Sequence, residues 1–373
     1  MKDWNECKNI LCIRADNMGD VIMTSPALRA LKETFGAKIT LLTSGSGSLI
    51  TPHIKEVDET VIFDLPWVKS NTLTDGQDLS KLTDQLKNQN FDAAIIFTVY
   101  SQSALPAALM VLMAGIPKRA AYCRENPYDL LTDWIPDDEP FQYIKHQVER
   151  DLTLVKFVGA IPAYDSFDLS FNSSCLSSIA EKLNLPGFDI HRKDTIILHP
   201  GVSEDKRKYP VESWIEIGKE LASKFDFQLL VTGSQSEKAL CEYIASGIGP
   251  SASSLSGELN IEEFISVISV SKAVVSVNTS TIHIAAATQT PMVVLYAETN
   301  PQHTPWKSDY RLLPYSIEKN LQSKNIIIRY VNERLYRKSN PFPLPSNVVK
   351  VLSDLLEKRK NPEEIKNLPL DFY

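Results

Sequence analysis

At 373 residues the chain exceeds what one compact domain usually holds, so two domains of roughly 150 to 200 residues are expected. With 43% apolar and 23% charged residues, 14 Gly and 22 Pro, it reads as a globular protein and not as a collagen-like or low-complexity chain. Lys and Arg number 39 against 46 Asp and Glu, a net charge of −7, which argues against nucleic acid as a partner. Any anion bound by such a chain must be held by a local cluster.

In chain order, the opening MKDWNECKNILCIRADNMGD carries early acids and too short an apolar run for a secretory leader. Five scattered cysteines without a Cys-x-x-Cys pair suit a reducing, cytoplasmic compartment. Asn9–Arg14, Lys38–Thr43, Thr60–Phe63 and Ala93–Thr98 read as strands, with helical patterns at Pro26–Phe35 and Leu79–Asn88 between them. The stretch Ala93–Pro117 has no charge and is long enough to span a bilayer. Its polar centre, Thr98 to Ser103 with Pro106, fits a buried strand, a turn and an apolar helix better. His146–Gly159 reads as a further helix, and polar, irregular Ala160–Arg192 marks the domain boundary. Alternation then restarts. Strands are expected at Thr195–Leu198, Gln228–Thr232, Ala273–Val277 and Met292–Tyr296, with helices at Val211–Phe225, Ser236–Ala245, Ile261–Val270 and Thr281–Ala287. Near-continuous apolar strands alternating with helices predict an α/β chain of two doubly wound, Rossmann-like domains. The expected division is 1–170, 171–345 and a tail, 346–373. A helical pattern at Val348–Lys358 lets the tail pack on either domain, the N-terminal one being the expected partner.

Ligands in doubly wound folds sit outside the carboxyl ends of strands, so the loops there carry the candidate sites. After the first strand comes Arg14-Ala15-Asp16-Asn17-Met18-Gly19-Asp20. Ser25-Pro26 are good N-cap and N1 types, so the regular helix begins either near Asp20 or at that pair. Asp16 or Asp20 either complements a helix dipole or takes a proton from a hydroxyl, and spacing does not separate the two. After the Thr195–Leu198 strand, Lys206-Arg207-Lys208 reads equally as a phosphate site and as a solvated charge run. Asn278-Thr279-Ser280-Thr281-Ile282-His283 places cap-type hydroxyls at a helix start, a ready anion site, with His283 in its first turn. Gly45-Ser46-Gly47 lacks the third glycine of a dinucleotide fingerprint.

Three segments in this order, ILCIRADNMGDVIMTSPALRALKETF, HPGVSEDKRKYPVESW and VVSVNTSTIHIAAATQTPMVVLYAETNP, resemble glycosyltransferase family 9, the ADP-heptose:lipopolysaccharide heptosyltransferases and their relatives. The resemblance covers most of residues 8 to 307. It implies the GT-B fold, with two domains facing a central cleft, the N-terminal one for the acceptor and the C-terminal one for the nucleotide sugar. It further implies inverting, metal-independent transfer, with no cofactor beyond the nucleotide-sugar donor, ADP-heptose first among donors. Asp20 matches the catalytic base, and Lys206, Arg207, Thr279, Ser280 and His283 match the donor-diphosphate site. Arg207 is favoured over Lys206 by counting back from Tyr209-Pro210. Glu237 matches a ribose-holding position, Leu259 an adenine-packing one, and Asn278 a donor-sugar position that is usually Asp. The implied acceptor is a cell-envelope glycan or lipid-linked saccharide such as lipopolysaccharide core. Lys118, Arg119 and Arg124 read either as contacts to such an anionic acceptor or as surface charges. Peripheral contact with the inner membrane is compatible with the family. The alternatives are a GT-B transferase using another nucleotide hexose, or a non-catalytic nucleotide-sugar binder.

Overall fold

The computed structural model describes residues 3–69, 74–172, 174, 176, 179 and 194–360. They form two compact units. One takes in the described residues of Met1–Asn172, Thr299–Lys307 and Gln322–Arg337, the other those of Ser173–Glu298, Ser308–Leu321 and Lys338–Tyr373. Most of the polar boundary stretch beyond residue 172 lies outside the described residues.

The first unit is built on six parallel strands: β1 (Asn9–Ile13), β2 (Lys38–Thr43), β3 (Glu59–Ile62), β4 (Ala93–Ile96), β5 (Lys118–Cys123) and β6 (Asp133–Pro136). Their order is β3-β2-β1-β4-β5-β6, so the winding reverses between β1 and β4. Central strands such as Ile10–Ile13 and Ala93–Ile96 are almost fully buried, as a sheet covered on both faces requires. The helices are α1 (Met18–Phe35), α2 (Gly45–Ser48), α3 (Gly76–Asn88), α4 (Leu105–Met113) and α5 (Gln147–Phe157). The charge-free stretch is thus a strand, a polar turn and a nine-residue helix. Among the described residues no helix is long and apolar enough to cross a membrane.

Helix α1 starts at Met18, ahead of Ser25-Pro26, with Asn17 and Asp20 in a reciprocal capping box. Pro26 therefore sits inside the helix, where it cannot donate to the carbonyl of Ile22. The Ser25 hydroxyl donates to that carbonyl at 2.8 Å instead. The pair that looked like a helix start is a repair within one.

The second unit repeats the architecture with β7 (Thr195–His199), β8 (Gln228–Val231), β9 (Ala252–Ser254), β10 (Ala273–Val277), β11 (Met292–Ala297) and β12 (Tyr310–Tyr315). All pair in parallel in the order β12-β11-β10-β7-β8-β9, and the winding reverses between β7 and β10. Its helices are α6 (Val211–Lys224), α7 (Lys238–Ile248), α8 (Ile261–Val270) and α9 (Ser280–Ala287). Two helices follow β12. α10 (Ile326–Leu335) belongs to the first unit and α11 (Pro345–Lys360) to the second.

Two features differ from the sequence reading. The span 171–345 is not one continuous domain, because 299–307 and 322–337 join the first unit. Gln302, fully buried, anchors the first of these excursions: it accepts from Tyr100 N and donates to Glu139 Oε1 at 3.2 Å. The C-terminal helix, expected on the N-terminal domain, lies against α6 of the second unit. There Val348, Val349, Leu352 and Leu355 complete the core of that sheet. Residues 361–373 of the expected tail lie outside the described residues.

Candidate functional site

In the first unit the carboxyl ends of β1 and β4 frame a small cavity of about 20 Å³, lined by residues including Ile13, Asp16, Phe97, Thr98 and Gln102. This is the topological switch point, where a doubly wound sheet leaves room for a ligand. Arg14, fully buried just past β1, holds two carboxylates at once: its Nε lies 3.2 Å from Asp16 Oδ2, and its Nη2 donates to Asp20 Oδ1 at 2.8 Å. Asp20 Oδ2 also accepts from the N–H of Asn17 at 3.2 Å, as the capping box demands. Gln102 donates to Asp16 Oδ1 at 2.6 Å. Burial, offset by Arg14 and reinforced by the charge of Asp20, raises the Asp16 carboxyl above the ordinary range. Beneath them Asp151 accepts from Thr24 and Gln147, and burial pushes it up to about 6. His303, on the excursion from β11, brings Nε2 to 3.6 Å from Asp20 Oδ1.

In the second unit the loops after β7, β8, β9, β10 and β11 share one edge. Asp205–Arg207 form a single 3-10 turn that lifts the basic run off the end of β7. The three cations then part company. Arg207 turns inward: Nη1 donates to the carbonyl of Asn278 at 3.1 Å, Nη2 pairs with Glu204 at 3.3 Å, and its buried Nε has no partner among the described residues. Lys206 pairs with Glu204 at 3.2 Å, while Lys208 points to solvent and pairs with Asp205. Thr279 is the N-cap of α9, yet its hydroxyl makes no capping bond and is buried with no partner among the described residues. Ser280 opens the helix and His283 is buried in its first turn. A guanidinium joined to the loop at a helix N-terminus, with a hydroxyl and an N–H not otherwise engaged among the described residues, has the chemistry to hold an anion at the switch point between β7 and β10.

Glu237 caps the turn after β8, accepting from the backbone N–H and hydroxyl of Ser234 at 2.7 and 2.8 Å. It lies so close to Gly201 that a Cβ there would sit 2.5–2.6 Å from both carboxylate oxygens. Burial pulls the neighbouring His199 below the usual imidazole range, against the opposing pull of Glu237. Leu259 is half-buried on the loop between β9 and α8.

Other residues singled out in the sequence are already engaged within the fold. Asn278 spends its amide on Ala297 at the end of β11, donating to its carbonyl at 3.1 Å and accepting from its N–H at 3.2 Å. It clamps two strand ends together. Arg119 is no acceptor contact, because its guanidinium donates to the carbonyls of Ile116, Pro117, Asp129 and Leu130. Arg124 donates to the carbonyls of Tyr100 and Glu139, and Lys118 lies over the Trp4 ring. The sequence reading missed Arg14, Gln102, Asp151 and His303. Arg14 ends an apolar strand, where a buried cation was itself a signal.

Two doubly wound parallel units in one chain give the two-domain α/β architecture of the GT-B fold. Comparison with known proteins narrows this. The model of glycosyltransferase family 9 (heptosyltransferase) matches residues 79–327, about two thirds of the sequence, and the chain belongs to that family. It is similar to lipopolysaccharide heptosyltransferase 2 of Salmonella typhimurium, 23% identical over 79% of this chain and 84% of the relative. Lipopolysaccharide heptosyltransferase 3 of Escherichia coli is 21% identical over 78% of this chain and 82% of its own. In fold it matches the structure of E. coli ADP-heptose lps heptosyltransferase II with a TM-score of 0.70 at 22% identity, covering 94% of this chain and 99% of that one. A family 9 glycosyl transferase from Veillonella parvula gives 0.76 at 14% identity, covering 96% and 99%. The fold and the glycosyltransferase class expected from the sequence both hold.

Proposed function

We propose that this enzyme transfers a heptose from ADP-heptose to a saccharide of the lipopolysaccharide core, by inverting displacement and without a metal. The similar curated proteins are named as lipopolysaccharide heptosyltransferases, and a solved relative of the same fold carries ADP-2-deoxy-2-fluoro heptose. The donor diphosphate is held in the second unit by Arg207, with Lys206, Thr279, Ser280 and His283 around it. As the sugar–phosphate bond breaks, negative charge grows on the leaving diphosphate, where fixed cations and helix N–H groups stabilise it most. Glu237 takes the ribose and Leu259 packs the adenine. Asp20 of the first unit removes the proton of the acceptor hydroxyl, whose oxygen attacks the anomeric carbon opposite the departing ADP.

The observation that carries this reading is Arg207, whose buried Nε, like the Thr279 hydroxyl, has no partner among the described residues. The test is calorimetric titration of ADP, UDP and GDP in parallel, then transfer from ADP-heptose to heptose-deficient lipopolysaccharide with and without EDTA. ADP should bind at least tenfold more tightly than UDP or GDP, and transfer should survive the chelator. Preference for UDP or GDP would reassign the donor; ADP binding without transfer would favour a binding protein. Asp20→Asn should bind ADP as the wild type does and transfer about 10²- to 10⁴-fold more slowly, the usual worth of a general base.

A further inference from the structure

Asp20 is well placed to take a proton and poorly placed to keep one. One carboxylate oxygen accepts from the buried Arg14 guanidinium at 2.8 Å, and the other faces the N–H of Asn17 at the start of α1. A nearby cation and a helix N-terminus both favour the ionised carboxylate, so a proton taken from a sugar hydroxyl needs somewhere to go. His303 stands at that point. Its Nε2 is 3.6 Å from Asp20 Oδ1, and its side chain is 23% exposed, against 12% for Asp20. Asn300 fixes the tautomer. Its Oδ1 accepts from Gln302 N at 3.0 Å, so its Nδ2 faces His303 Nε2, at 3.1 Å, as a donor. In the neutral ring Nε2 is then the lone-pair nitrogen, and its one lone pair accepts from Asn300, so that bond must be released for Nε2 to take a proton from the side of Asp20.

We propose that His303 is the proton outlet of Asp20, a positioning residue that acts on the reaction through that carboxylate. The acceptor O–H bond breaks and its proton goes to Asp20. The alkoxide oxygen bonds to the anomeric carbon, whose bond to the diphosphate oxygen breaks with its electron pair leaving on ADP. Asn300 releases the Nε2 lone pair, Asp20 Oδ1 passes the proton to His303 Nε2, regenerating the carboxylate, and the imidazolium loses it to solvent, restoring the Asn300 bond. A 3.6 Å separation without substrate suits such a relay, since catalytic hydrogen bonds tighten in the loaded complex. The segment 299–307 that delivers His303 is fixed to the first unit: Gln302 bonds Tyr100 and Glu139, His146 donates to the carbonyl of Thr304 at 2.8 Å, and Trp306 donates to that of Asp165 at 2.8 Å. Charged groups beside Asp20 are Arg14 and Asp16 after β1, with Asp151 on α5 acting through Arg14. His146, beside Thr304, is held neutral by burial, its pKa lowered to about 4.

This inference rests on the assignment of Asp20 as base, and the experiment separates the two. Turnover of ADP-heptose with heptose-deficient lipopolysaccharide is followed from pH 5 to 8 for the wild type, His303→Gln and Asp20→Asn, alongside the NMR titration of the His303 ring. Imidazoles change charge in this range, and only the neutral ring accepts a proton, so wild-type kcat should rise with pH along a limb that His303→Gln lacks. In that variant kcat should fall about 10- to 100-fold with KM unchanged. The ring should titrate at lower pH in Asp20→Asn than in the wild type, because the carboxylate stabilises the imidazolium. If Asp20→Asn keeps near-normal turnover, the base assignment itself fails. Loss of turnover in Asp20→Asn, with His303→Gln keeping wild-type kcat and its acidic limb, overturns the relay alone. An unmoved His303 titration in Asp20→Asn does the same without any substrate.

Discussion

Arg207 Nη1 donates to the main-chain oxygen of Asn278 at 3.1 Å, joining the loop after β7 to the loop after β10. These are the two strands between which the second sheet reverses its winding. One residue of the basic run is thereby built into the switch point, while Lys208 two-thirds exposes its side chain and pairs with Asp205. Arg207→Ala should weaken ADP binding by about 1.5–3 kcal/mol, the scale of a hydrogen bond to a charged group. Lys208→Ala should change it by less than about 0.5 kcal/mol, as surface substitutions usually do. Calorimetric titration of both variants checks the contrast; equal losses would mean that the run acts as a diffuse charge.

Much of this was legible in the sequence because buried parallel strands leave apolar runs that polar loops interrupt. The strands it missed show where that signal fails. β5 opens with Lys118 and Arg119, and Arg119 is tolerated only because backbone carbonyls surround its guanidinium. β12 contains Pro314, acceptable on an edge strand where one side of the backbone has no partner strand to serve. β9 is three small residues. Site residues at strand ends were readable one motif at a time. The Asp20–His303 approach was not, since it joins positions 283 residues apart through an excursion that no local periodicity marks.

Asn278 tests how far a family expectation carries to a single chain. Its amide donates to one group of Ala297 and accepts from the other, which a carboxylate cannot do. Asn278→Asp keeps an acceptor for the Ala297 N–H and leaves the Ala297 carbonyl without its donor. A buried acceptor left unsatisfied costs about 1–3 kcal/mol, so chemical denaturation should register a loss of that size. Unchanged stability with an altered donor preference would instead put this side chain on the sugar.

Gly201 is needed for what it leaves room for. With Glu237 carboxylate oxygens 2.5–2.6 Å from the position of a Cβ, Gly201→Ala must displace that carboxylate. If Glu237 holds the ribose, Gly201→Ala and Glu237→Gln should weaken ADP binding to a similar degree, each by at least about tenfold, the loss of one hydrogen bond to a charged group. Inorganic diphosphate, which has no ribose, should bind both variants as it binds the wild type. Parallel titrations of ADP and diphosphate decide; equal weakening of both ligands would point to collapse of the loop after β7.

His146 gives the fold a pH dependence of known sign. It caps α5, its Nδ1 accepting from Val148 N at 3.2 Å, its Nε2 donating to Thr304 O, and its ring 4.6 Å from that of Trp306. Burial lowers its pKa from 6.5 to about 4. Between these values the unfolded chain binds a proton that the folded chain refuses. Stability from this group therefore rises with pH through the window and is lost as pH falls from 6.5 towards 4, by up to about 1.4 kcal/mol per unit. Asp151 acts in the opposite sense: raised from 3.8 to about 6, it holds its proton in the fold, so its contribution declines as pH rises over that interval. His146→Asn keeps an acceptor for the Val148 N–H and removes only the first effect. The variant should be less stable than the wild type near neutrality, having lost the bond to Thr304. That deficit should shrink steadily as urea unfolding is repeated from pH 6.5 down to 4.5, because Asp151 contributes equally to both proteins and cancels in the difference. A deficit that stays constant across the series would mean that His146 is not held neutral in the fold.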